Sequence, residues 1–240
     1  MEEVSLSIVV PVFNEEGNAA RLAHEIANVF KGTSYEMIFV DDASQDATLR
    51  TLVAAKADLP ALRVLHHPQN AGQSRAIRTG VLAAKGQMLG ILDGDGQNDP
   101  ADLPMLLDHY HDTVPRPGMV AGERLKRQDS QAKRLGSKLG NAIRRFILRD
   151  GINDAGCGLK VMARQTYLQL PFFDHQHRYM AALIIREGMV VTTQPVNHRP
   201  RQSGQSNYTN LGRLAVSVRD ILGVMWLQSR SRKPGDVEEL

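Results

Sequence analysis

Short β-branched runs alternating with stretches of helical periodicity constrain this chain more than any other feature of its N-terminal half. Strands are expected at Leu6–Val12, Glu36–Val40, Leu62–His66 and Met88–Leu92, and helices at Glu16–Phe30, Asp46–Ala57 and Ala71–Ala84. Such alternation buries both faces of a sheet under helices. The expected fold is therefore α/β, a Rossmann-like, mostly parallel central sheet flanked by helices in a single domain. The second half is less regular. It reads as a helix begun by Pro100, strands at Met119–Gly122, Gly158–Met162 and Val190–Val196, and helices at Ala132–Leu148, Asp174–Glu187 and Asn210–Gln228. The expected division is a catalytic domain over 1–208 and a C-terminal amphipathic helix with a basic tail over 209–240.

Ligands of open α/β sheets sit outside the carboxyl ends of the strands. Those ends carry Pro11-Val12-Phe13-Asn14-Glu15, Asp41-Asp42-Ala43-Ser44 and Asp93-Gly94-Asp95-Gly96-Gln97-Asn98-Asp99-Pro100. Asp93 and Asp95 flank one glycine, so both carboxylates can meet one hard cation, magnesium or manganese, with Gln97 as a third oxygen donor. The same residues are ordinary turn formers. Asp41 and Asp42 at a neighbouring strand end tip the balance, because like charges on one edge repel unless a cation binds there. Asp42 also suits a cap for the helix near Asp46, and Glu15 a first-turn acid. His66, His67, His109 and His111 read as surface or loop histidines rather than a metal site.

A net charge of +3 in 240 residues gives no general pull on anions, so such a preference must be local. From Arg116 to Arg149 ten Lys or Arg residues stand against Glu123 and Asp129, with Phe146 the only aromatic. That favours anionic headgroups over nucleic acid, which needs stacking platforms. Leu211, Leu214, Val218, Ile221, Leu222 and Met225 recur at helical spacing beside Trp226, ahead of Arg230-Ser231-Arg232-Lys233. This helix is expected to pack on the domain, on a membrane-protein partner or on a second copy; its alternative place is the membrane interface. Cys157 is the single cysteine, and no apolar run approaches the roughly 20 residues of a membrane span. A cytoplasmic chain, peripheral on the inner face of a membrane, is the expectation.

Pro11-Val12-Phe13-Asn14-Glu15-Glu16, Val40-Asp41-Asp42-Ala43-Ser44, Asn70-Ala71-Gly72 and Asp93-Gly94-Asp95-Gly96-Gln97 resemble, in order, the motifs of inverting family 2 glycosyltransferases of the GT-A fold. Asp154-Ala155-Gly156-Cys157-Gly158-Leu159-Lys160 and the loop His198–Tyr208 are similar to those of the dolichyl-phosphate mannose synthase branch, which includes polyprenyl-phosphate glycosyltransferases. Phe13 and Asn207 stand where many members carry Tyr and Lys.

The resemblance implies that Pro11, Phe13, Glu15, Val40, Asp42 and Asp93 meet the nucleotide sugar, while Asp93, Asp95 and Gln97 hold Mg2+ or Mn2+. It also implies that Asp95, Arg124 and Arg201 serve catalysis, and that Lys133, Arg134 and Ser137 meet the phosphate of a lipid-linked acceptor. The implied activity is transfer of a sugar from a nucleotide-diphosphate sugar to a polyprenyl phosphate. A glycan hydroxyl acceptor and a silent nucleotide-binding scaffold are the alternatives. A dinucleotide oxidoreductase is excluded, since no Gly-x-Gly-x-x-Gly follows the first strand.

Overall fold

The computed structural model describes residues 4–124, 142–200 and 210–232, without the side chains of 210–215. The elements run β1 (Leu6–Val12), α1 (Ala19–Val29), β2 (Tyr35–Asp41), α2 (Thr48–Ala55), β3 (Leu62–His66), α3 (Gln73–Ala83) and β4 (Met88–Ile91). After a 3-10 turn at Pro100–Asp102 come α4 (Leu103–Asp112), β5 (Met119–Arg124) and α5 (142–148). They are followed by β6 (Lys160–Ala163), α6 (Arg164–Gln169), α7 (Met180–Arg186), β7 (Val191–Val196) and α8 (Asn210–Ser229).

Among the described residues the strands form one seven-stranded sheet in the order β3-β2-β1-β4-β6-β5-β7. Of these strands only β6 runs antiparallel to its neighbours. All seven residues of β1 are buried, which is why Leu6–Val12 reads as a continuous apolar run rather than an alternating one. Its parity sorts the core: Ile8, Val10 and Val12 pack toward α1 and α4, Val9 toward α3. Gly80 lets α3 settle on the sheet, since a Cβ there would lie 2.5 Å from Val9 Cγ1.

Chain order and sheet order part company at β1. The chain steps outward through β2 and β3, then returns to the other side of β1 as β4, so the switch point lies between β1 and β4. There the sheet also splits. The β1–β2 ladder continues to Val12 and Asp41, whereas the β1–β4 ladder ends at Val9 and Ile91. Val9 offers its carbonyl to Leu92 N at 3.2 Å, so Pro11, of the same parity, faces the gap. A proline there leaves no N–H stranded where pairing has stopped.

The expected strands are present, and α1, α2 and α3 are shorter than expected, whereas α8 runs over the expected residues. Residues 13–18 stay out of α1 because the loops after β1 and β2 lace together: Asn14 N donates to Ser44 Oγ at 2.9 Å and Ala47 N to Glu16 Oε2 at 2.9 Å. The expected helix over Asp174–Glu187 is broken: His175 takes a left-handed conformation (φ 63°) ahead of a 3-10 turn at Gln176–Arg178, and Tyr179 (φ −118°, ψ 7°) separates that turn from α7. Of the expected Ala132–Leu148 helix, 142–148 are described and helical.

Candidate active site

The carboxyl edge gathers the loops after β1, β2 and β4, and the direction of β6 adds a fourth segment. Because β6 is antiparallel, the residues leading into it, Asp154–Leu159, arrive at the edge where its neighbours end. A Cβ on Gly158 would lie 2.2 Å from Asp93 Oδ2, so only a glycine lets this segment pass beneath the carboxylate.

Asp93 and Asp95 are both half-buried and close enough to repel. Burial, then the charge of Asp95, push the Asp93 carboxyl up to about 6; Lys160, Arg124 and a 2.7 Å hydrogen bond from Gln73 Nε2 pull the other way. Asp95 Oδ1 accepts from Gln97 N at 3.1 Å, while the Gln97 amide nitrogen turns to the Arg199 carbonyl at 3.4 Å. Among the described residues no three His, Cys, Asp or Glu side chains form a metal cage. Two crowded, half-buried carboxylates fit a hard divalent ion whose remaining ligands would be phosphate oxygens and water.

Arg124, at the end of β5, is held by Asp154 through Nε at 2.6 Å and Nη2 at 2.7 Å. Burial works against its charge, but the bonds and charge of Asp154 outweigh it and raise the guanidinium above its ordinary value. Arg124 is thus aimed by its partner rather than free to swing.

Asp42 departs from the alternative role expected of it. Instead of capping α2 it turns to the start of α3, accepting from Ala71 N at 2.9 Å and Gly72 N at 2.8 Å, with His67 Nδ1 at 2.7 Å. Asp46 takes the α2 role by accepting from Thr48 N. Glu15 is buried and accepts from Asn18 Nδ2 at 2.7 Å, which also ties it to the start of α1. Asp41, fully buried, bonds His66 Nδ1 at 2.8 Å, and its Oδ1 has no partner among the described residues. His66 and His67 are therefore partners of buried aspartates rather than plain surface residues. His109 bonds Gln194.

Pro11 and Val40 sit opposite one another in the β1–β2 ladder, and Phe13 follows at the rim. The stem of the late loop is anchored to the acidic loop: His198 bridges Asn98, and Arg199 pairs with Asp99 at 2.7 Å and Glu25 at 2.5 Å. Lys133, Arg134, Ser137 and Arg201 lie outside the described residues. Sequence reasoning gave no role to Lys160, whose ammonium is buried beside Asp93, nor to Gln73. A lone lysine between Leu159 and Val161 was the available signal. A cavity of about 460 Å³ lies at the opposite, amino edge, lined by Leu6, Phe30 and Met88, away from these groups.

Residues 7–171 match the family described as Glycosyl transferase family 2. The chain belongs to that family. The transferase is 30% identical over 245 residues to a dodecaprenyl-phosphate galacturonate synthase of Rhizobium johnstonii, covering 98% of this chain and 70% of the relative. It is 31% identical over 224 residues to an undecaprenyl-phosphate 4-deoxy-4-formamido-L-arabinose transferase of Pseudomonas fluorescens, covering 92% and 64%. The chain thus spans about two thirds of the length of these relatives.

The fold matches mannosyl-3-phosphoglycerate synthase of Rubrobacter xylanophilus, with TM-score 0.71, 16% identity and coverage of 98% of this chain and 79% of that one. It also matches glucosyl-3-phosphoglycerate synthase of Mycobacterium tuberculosis in complex with Mn2+, UDP and product, with TM-score 0.70, 17% identity and coverage of 96% and 82%. At these identities the likeness establishes the GT-A architecture and nothing further.

Proposed function

We propose that this glycosyltransferase moves a sugar from a nucleotide-diphosphate sugar onto a polyprenyl phosphate, with Mg2+ or Mn2+ bound at Asp93, Asp95 and Gln97. The observation that carries the reading is the pair of crowded carboxylates at the β1–β4 switch point, with Asp93 pushed up to about 6. The sequence relatives, named for polyprenyl-phosphate sugar transfer, supply the acceptor class. Bound there, the ion would neutralise charge growing on the departing diphosphate.

The chain's own residues do the rest. Pro11, Phe13, Glu15 and Val40 form the nucleotide side of the cleft, and Asp42 shapes it by holding the turn into α3. A phosphate acceptor is already ionised at neutral pH, so no general base is required of the protein. What it must supply is cations that bring a second anion toward the first. Arg124, aimed by Asp154, is one, and we assign Arg201, Lys133, Arg134 and Ser137 to the same task.

The lipid acceptor implies residence at the inner face of a membrane. Among the described residues no helix is long and apolar enough to cross one. A surface patch suits peripheral contact: Ile143 and Phe146 of α5 and Val218, Leu222 and Trp226 of α8 are exposed, Phe146 by 85%. Exposed Arg145, Arg149, Arg219, Arg230 and Arg232 belong to the same two helices and the residues just after them. Gln228 Nε2 donates to the Leu148 carbonyl at 3.0 Å, joining the helices into one surface. Apolar side chains among arginines match an anionic bilayer interface.

The test is transfer from UDP- and GDP-sugars to undecaprenyl phosphate with Mn2+. Asp95→Ala should abolish it with the fold intact. Full activity of that variant would refute the metal assignment, and transfer to a sugar hydroxyl in place of the lipid phosphate would refute the acceptor.

A further inference from the structure

Two carboxylates cancel one divalent ion. A site made only of Asp93, Asp95 and such an ion is neutral toward the diphosphate it has to hold, so a further positive charge is needed nearby. Arg124 does not provide it in full, because Asp154 neutralises it through two short hydrogen bonds. Lys160 is a second cation beside Asp93; burial pulls its pKa down, and the charges of Asp93 and Asp154 support its ammonium.

Register places it. Ile91 faces Lys160 across the β4–β6 ladder, and Gly158 lies against the Asp93 carboxylate, so Asp93 and Lys160 are diagonal neighbours on one face of the sheet. Leu159, Val161 and Met162 around it are fully buried and Lys160 is 6% exposed. Its hydrogen bond goes to the Cys157 carbonyl, a neutral acceptor. An ammonium in such a strand is costly to desolvate, and an apolar side chain of similar length would pack there without that penalty. The neighbouring histidine adds no charge: His177 is held well below its ordinary value by burial, then by Arg178 and Lys160, and bonds Ser74 at 2.7 Å.

We propose that Lys160 is a positioning residue that leaves the metal-loaded site with one net positive charge, so that the ion is retained tightly only together with a nucleoside diphosphate. Lys160 repels a bare ion and attracts the diphosphate, which couples the two ligands. By reciprocity, whatever factor the diphosphate adds to metal affinity the metal adds to diphosphate affinity. This rests on the metal reading of Asp93 and Asp95.

The experiment is Mn2+ titration followed by electron paramagnetic resonance, with Mn2+ alone and with saturating UDP or GDP, on wild type, Lys160→Met and Lys160→Arg. Wild type should bind bare Mn2+ weakly and gain at least about tenfold with one nucleotide. Lys160→Met should bind bare Mn2+ at least as tightly and gain less than about threefold, with Lys160→Arg restoring the wild-type gain. A purely structural lysine would weaken both titrations together. If Lys160→Met does not fold, Lys160→Gln carries the same expectation. Undiminished coupling in a folded neutral variant overturns this proposal alone. Absence of Mn2+ binding by wild type with either nucleotide overturns the metal reading and this inference with it.

Discussion

Replacing Asp93 with asparagine should stabilise the metal-free protein while disabling it. In the fold the Asp93 carboxyl rises from the ordinary 3.8 to about 6, because burial and the Asp95 charge penalise its ionised form more than Lys160, Arg124 and Gln73 support it. The folded state therefore holds this proton more tightly than the unfolded chain does. Stability contributed here is complete below the unfolded value and is lost as pH rises through the window from about 4 to about 6. At about 1.4 kcal/mol per pH unit the penalty at pH 8 approaches 3 kcal/mol, and partial exposure of the carboxyl brings it nearer 2 kcal/mol.

The asparagine amide is neutral, and its oxygen can still accept from Gln73. For a chain of this size, a gain of about 2 kcal/mol corresponds to a melting temperature higher by about 4–8 °C. The assay is thermal unfolding in EDTA at pH 8 and pH 4, then at pH 8 with Mn2+ and UDP. The variant should melt higher in EDTA at pH 8, lose that advantage at pH 4, and fall below wild type once metal and nucleotide are added. A variant less stable than wild type in EDTA at pH 8 would refute the argument that the two carboxylates are strained without a cation.

Gly158→Ala should drive the Asp93 carboxylate out of place, since the new methyl would lie 2.2–2.6 Å from its atoms. Mn2+ affinity measured with UDP should fall at least about tenfold, while the circular dichroism spectrum is unchanged. Leu222→Ala combined with Trp226→Ala removes two exposed apolar groups of α8 and should lower binding to phosphatidylglycerol vesicles in a flotation assay by at least about tenfold. Unchanged flotation would show that the bilayer is met elsewhere.

The parallel half of the sheet was legible because β1, β2 and β4 are almost wholly buried and spell largely apolar runs, of which Leu6–Val12 is the clearest, while β3 at the edge is only half-buried. The acidic tips were legible too, since a strand's end and its turn residues are local in sequence. Other features were not. Helix α6 follows β6 directly and carries no periodic signal over six residues. Left-handed His175 and non-helical Tyr179 divide a segment that otherwise reads as helix.

What the sequence determined by itself was the chemistry on offer: carboxylates at strand ends, glycines beside them, arginines and lysines clustered later in the chain, and an apolar pattern that demands a covered sheet. Tertiary structure decided how those groups are used. Asp42 went to the turn into α3, Arg124 to Asp154, and Lys160 to the space behind Asp93. The first depends on the pairing of β2 with β3, the other two on the antiparallel entry of β6 beside β4 and β5. Those are properties of strand direction and order, set by burial summed over the whole sheet, and no local stretch of residues encodes them.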